Sequence, residues 1–101
     1  MSQKTESAEL PNYQVFIASE YDKQIKKFPS KDRAFIEKKM TEYVIPQLKK
    51  EPHFGLNIKK LKNYDPPTWR YRIGKYRVFY EIDAEAKEVD ILTISPSKDA
   101  Y

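Results

Sequence analysis

The sequence predicts an α+β domain in which an N-terminal strand is followed by two helices packed on one face of a largely antiparallel β-sheet. Three observations predict it. One short apolar run opens the patterned part of the chain, two serine-led helical stretches follow, and three runs rich in aromatic and β-branched residues close it. A chain of 101 residues, 40% hydrophobic and 34% charged, supports one modest core and is too short for two. Eight tyrosines, five phenylalanines and a tryptophan, against two glycines, supply packing anchors that a disordered chain of this charge lacks.

Residues 1–11 are polar and end at Pro11, which predicts a flexible lead-in, and residues 12–101 are then the single domain. Met1 to Leu10 carries acidic residues and lacks the basic start and apolar run of a secretory signal. No stretch reaches the ~20 apolar residues that cross a bilayer. With no cysteine, the chain has no disulfide frame and fits a reducing cytoplasm.

Tyr13, Val15 and Ile17 alternate with Gln14, Phe16 and Ala18, which predicts the first strand. Ser19 is placed to cap a short helix over 20–28, and Ser30, after the break at Pro29, to cap a longer one. Phe35, Ile36, Met40, Tyr43, Val44 and Leu48 recur at spacings of mostly three and four, the stripe of a helix lying on a sheet. Pro46 falls within the stripe and should kink the helix or end its regular part. Residues 49–67, punctuated by Pro52, Gly55, Asn63, Pro66 and Pro67, predict an irregular connection with a brief strand near Leu56, Ile58 and Leu61. Residues 69–73, 76–83 and 88–95 are the last three strands.

The most informative segment runs from Trp69 to Ile82. A two-residue turn at Gly74-Lys75, glycine first, sets Ile73 against Tyr76, Arg72 against Arg77, Tyr71 against Val78 and Arg70 against Phe79. Alternation then puts Tyr71, Ile73, Tyr76, Val78, Tyr80 and Ile82 under the helices, and Arg70, Arg72, Arg77, Phe79 and Glu81 on the other side. Arginines placed directly opposite repel, so a phosphate that bridges them is one natural partner. The plainer reading is a solvated face with Glu81 as its counter-ion. A formal charge of +4 agrees with a polyanionic partner but does not require one.

Other residues weigh less. His53 sits in the proline-flanked connection and reads as a solvated loop histidine. Glu81, Asp83 and the turn Glu85-Ala86-Lys87 faintly resemble a magnesium nuclease pattern but fit a polar hairpin turn better, so no metal is expected. Lysines 23, 26, 27, 31, 38 and 39 lie on the helices and read as solubilising. Trp69 is expected in the core, and Phe79 as a platform on which a base stacks.

The order Trp-Arg-x-Arg, tight turn, Tyr-Arg-x-x-Tyr-Glu-Ile, with the ending Ser97-Lys98-Asp99-Ala100-Tyr101, resembles the RelE/ParE toxin superfamily over residues 12–101. The resemblance implies a RelE-like toxin of a type II toxin-antitoxin system. It further implies a ribosome-dependent messenger RNA endonuclease without metal or small-molecule cofactor, whose partners are the ribosome, messenger RNA and a cognate antitoxin. Matched residue by residue, Arg72 and Arg77 would stabilise the transition-state phosphate. Tyr101, matched in the same way, would move a proton and Arg70 would position RNA; beside these matched residues, Lys98 is a candidate proton donor and Phe79 and Lys75 are candidate RNA contacts. Pro96 and Ser97 stand where many relatives carry a histidine or arginine, so the usual proton donor to the leaving oxygen is absent. Two alternatives stay open: a ParE-like toxin that inhibits DNA gyrase and cuts nothing, and a non-catalytic RNA-binding or antitoxin-binding relative.

Overall fold

A computed structural model describes residues 12–97. The lead-in expected over 1–11 and the candidate residues Lys98 and Tyr101 lie outside the described residues. Strand β1 (Gln14–Ile17) leads into helix α1 (Ser19–Ile25) and helix α2 (Ser30–Lys39). A π-helical turn (Met40–Val44) joins α2 to helix α3 (Ile45–Lys50). Strands β2 (Ile58–Lys60), β3 (Trp69–Ile73), β4 (Tyr76–Asp83) and β5 (Glu88–Pro96) complete one sheet in the order β1-β5-β4-β3-β2. All neighbours are antiparallel except β1 and β5. The architecture is the α+β one expected, with the helices on one face.

Two serines do not do what the sequence suggests. Ala18 and Pro29 are the N-caps, neither with a side-chain cap bond, so Ser19 and Ser30 are the first helical residues. Pro46 acts just upstream of itself. Proline lacks the N–H that would bond Glu42, and the chain answers with the wider turn over Met40–Val44, where Ile45 N–H reaches back five residues to Met40 O. The turn also keeps the core stripe aligned. Ile36, Met40, Val44 and Leu48, spaced by four, would drift ~40° per step around an α-helix, and the π turn takes up part of that drift. All four are buried. Phe35 and Tyr43, placed by the same pattern in the core, are 45% and 55% exposed beside Lys39, whose ammonium lies 5.7 and 4.8 Å from their ring centroids.

The core faces of the strands follow alternation. Trp69, Tyr71 and Ile73 on β3, and Tyr76, Val78 and Tyr80 on β4, pack beneath the helices with Val89, Ile91 and Ile94 of β5. Val89, Ile91 and Ile94 share one face only because β5 carries one extra residue: Phe79 pairs Thr93 while Tyr80 pairs Ile91. At the centre, the Tyr80 hydroxyl donates to Pro52 O at 2.7 Å and anchors the 51–57 connection over the sheet. Burial pushes that phenol well above its ordinary pKa.

Candidate nucleic-acid interface

Gly74 takes φ +56° while Lys75 is not among the positive-φ residues, the signature of a type II′ turn. The pairing is Ile73↔Tyr76, Arg72↔Arg77, Tyr71↔Val78 and Arg70↔Phe79, as the residue order alone predicts. The tip is held from the helix side. The Tyr76 hydroxyl donates to Asp32 Oδ2 at 2.5 Å, its ring packs on Phe28 at 4.6 Å, and Ser97 N–H donates to Lys75 O at 2.6 Å. That bond to Asp32 pushes the Tyr76 phenol up to about 12, and Tyr76 with Lys75 draws the Asp32 carboxyl below its usual range.

On the open face, Arg70, Arg72 and Arg77 gather. Arg72 is exposed, and Arg70 and Arg77 are half-buried. Partial burial lowers the pKa of Arg70, and the positive charges of Arg77 and Arg72 lower it further, so the three guanidinium groups feel one another. Their own partners are few: Arg70 Nη1 donates to Asn57 O at 3.2 Å, and Arg77 Nε is buried with no acceptor. The ion pairs among the described residues are Glu51 with His53 and Asp32 with Lys75, so Glu81 does not neutralise the cluster. Such a cluster favours an anion brought from outside, because arginine forks grip phosphate oxygens at two points.

Sequence reasoning missed Lys59. It pairs with Arg70 across β2 and β3, which puts both on one face and extends the basic patch by a strand. The signal was faint because β2 is three residues long and its register is set by β3. At the far end the same face turns acidic, with Glu81 opposite Asp90 and Asp83 opposite Glu88.

Two residues expected at RNA sit differently from a simple contact, and the loop histidine is not simply solvated. Phe79 lies on the arginine side but only 3% exposed, so it forms the floor of the patch and offers little ring face to a base. Lys75 turns towards the helices, its ammonium 3.7 Å from Asp32 and 5.9 Å from the centroid of the Tyr76 ring. His53 is on the helix side, edge-on to Trp69 at 5.6 Å and 3.1 Å from Glu51, with the sheet between it and the arginines.

The family model for the ParE toxin of type II toxin-antitoxin systems, parDE, matches residues 15–101. The chain belongs to the ParE toxin family. It is therefore a toxin of a type II toxin-antitoxin system, within the RelE/ParE superfamily. Solved structures place the ParE-family chain in the same fold. It is 27% identical, with TM-score 0.66, to a chain of the RelBE complex from Mycobacterium tuberculosis, over 90% of its own length and 97% of that chain. It is 21% identical, with TM-score 0.60, to the isolated RelE toxin of E. coli, over 87% of each. An archaeal RelE-RelB complex from Pyrococcus horikoshii gives 22% identity and TM-score 0.56, over 88% and 99%. No curated protein matches significantly.

Proposed function

We propose that this toxin is a ribosome-dependent, metal-independent endoribonuclease that acts on messenger RNA. The observation that carries the reading is the cluster of Arg70, Arg72 and Arg77, which has no carboxylate partner among the described residues. In the reaction, the ribose 2′-oxygen forms a bond to the adjacent phosphorus as the bond to the 5′-oxygen of the next nucleotide breaks, leaving a cyclic phosphate. Arg72 and Arg77 stabilise the added negative charge, an effect often worth ~3 to 4 kcal/mol for one donor. Arg70 and Lys59 hold the strand. The acidic pairs Glu81/Asp90 and Asp83/Glu88 disfavour a polyanion at the other end, so RNA crosses the hairpin end of the sheet.

Tyr101 takes the proton of the 2′-hydroxyl, and Lys98 gives one to the leaving oxygen in place of the basic residue that Pro96 and Ser97 replace. General acid-base help is typically worth ~10² to 10⁴-fold, so cleavage is slow if Lys98 is a poor substitute. The partner is an antitoxin that covers the arginine face. Complexes of RelE with RelB among the structural neighbours support such a partner. The reaction belongs in the cytoplasm with the ribosome. No helix among the described residues is long and apolar enough to cross a membrane.

The family match and the sequence at Pro96-Ser97 favour a second reading, inhibition of DNA gyrase without cleavage. Translation of a defined message on purified ribosomes, beside a supercoiling assay, separates the two. Cuts within codons that vanish in Arg72→Ala/Arg77→Ala support the nuclease; blocked supercoiling with intact message overturns it. Inactivity in both assays leaves a non-catalytic RNA- or antitoxin-binding relative.

A further inference from the structure

A cavity beside the arginine hairpin has no role in the chemistry above. β2 pairs with β3 from Trp69 to Tyr71, and Arg72 N–H donates to Asn57 O at 2.9 Å, so past Arg72 no strand covers the outer edge of β3. The end of α2 and the π turn lie over that gap. Between them is a space of about 260 Å³ lined by Lys39, Tyr43, Asn57, Tyr71, Arg72 and Gly74 among others. Sites for drug-sized ligands run to ~300–1,000 Å³, so this one suits a single base.

Its lining is chemically specific. Lys39 supplies positive charge, Arg72 borders the space along the edge of β3, and no Asp or Glu among the described residues lines it. Lys39 has no carboxylate partner among the described residues and lies over aromatic rings instead. Tyr43 is 55% exposed, so the part of its ring that Lys39 does not cover is open to a ligand. Asn57 is exposed as well, and its amide carries donors and an acceptor suited to a base edge. The groove between α1 and α2 differs: Asp22 and Glu37 offset Lys26 and Arg33 there. Arg72 sits on the uncovered edge of β3 where the cavity ends, while its side chain joins the arginine cluster on the other face, so a strand that rounds this edge passes from one to the other.

The geometry points to a nucleotide subsite: the cavity takes the base next to the phosphate gripped by Arg72, with Tyr43 stacking on it, Asn57 reading its edge and Lys39 meeting the following phosphate. This rests on the RNA reading of the arginine face. An acidic peptide could answer the same cations, but the ring, the amide and the continuity with three arginines together match a nucleotide.

The probe is a 2′-O-methyl trinucleotide, which lacks the attacking hydroxyl, titrated against the full chain. Tyr43→Ala should weaken binding roughly 5- to 150-fold, the range for loss of one stacked base, and Tyr43→Phe should preserve it. Asn57→Asp, an exposed change that cannot empty the core, should weaken it about tenfold or more by adding a negative charge. Affinity unchanged in Tyr43→Ala and Asn57→Asp but lost in Arg72→Ala/Arg77→Ala overturns the subsite alone. No binding by the unaltered protein, or binding indifferent to the arginines, overturns the RNA reading beneath it. Displacement of the probe by a glutamate-rich peptide whose own binding needs Tyr43 also overturns the subsite, in favour of a protein ligand.

Discussion

Arg72 and Arg77 face each other across the hairpin. Like charges directly opposite in a sheet destabilise by a few tenths to about 1 kcal/mol. The double change Arg72→Ala/Arg77→Ala should therefore leave stability to urea equal or raised by up to about 1 kcal/mol while abolishing growth arrest on expression. A clear loss of stability would mean that the pair is structural. The residue scale also shows where alternation misleads. It puts Phe79 on the arginine face, as the pairing with Arg70 shows, yet says nothing of how deeply neighbours bury the ring. Lys75 was legible as a turn residue, whereas its partner, Asp32, is 43 positions away and only the packing of α2 on the hairpin brings them together.

At the scale of elements, the turn at Gly74 sets the spacing of the hairpin's arginines. Gly74 has φ +56°, a conformation that an L side chain enters at ~1 kcal/mol or more, whereas an added Cβ would meet Phe35 Cε2 at 3.4 Å, an ordinary contact. Backbone strain decides. Gly74→Ala should lower stability by about 1 kcal/mol in chemical denaturation and blunt toxicity through the disturbed Arg72–Arg77 spacing. The bond from Tyr76 to Asp32 ties α2 to β4 and has a pH signature. The phenol's pKa rises from 10.0 unfolded to about 12 folded, so its contribution is complete below pH 10 and is lost as pH climbs through 12. Asp32 has the opposite sign: its lowered carboxyl adds stability above its ordinary range and loses it as pH falls through the depressed value. Stability measured from pH 9 to 12 should fall less steeply in Tyr76→Phe. Some slope should remain, because burial raises the phenols of Tyr21 and Tyr80 as well.

Over the whole molecule, one sheet separates two tasks. Its helix side holds the core, from Ile36 and Leu48 to Tyr80 and Ile91, while the other side carries charge sorted by position, basic at the hairpin and acidic beyond Glu81. A net charge of +4 understates the local field, because the two ends of the face nearly cancel in the total. Binding of single-stranded RNA should weaken with salt at a log–log slope of about −2 if three phosphates are neutralised, at ~0.7 for each. In Arg72→Ala/Arg77→Ala the slope should shrink to about −0.7, that of a single contact. A slope unaffected by the arginines would place RNA elsewhere.

The sequence by itself determined the fold class, the three C-terminal strands, the hairpin register and the convergence of Arg70, Arg72 and Arg77. All of these follow from local rules: two-residue periodicity, a glycine-first turn and pairing outward from it. The tertiary structure alone decided the addition of Lys59 to the patch, the Tyr76–Asp32–Lys75 tie, the extra residue in β5 and the cavity beside Arg72. Each of these depends on groups distant in sequence meeting in space, and no local pattern encodes which helix will lie over which strand edge.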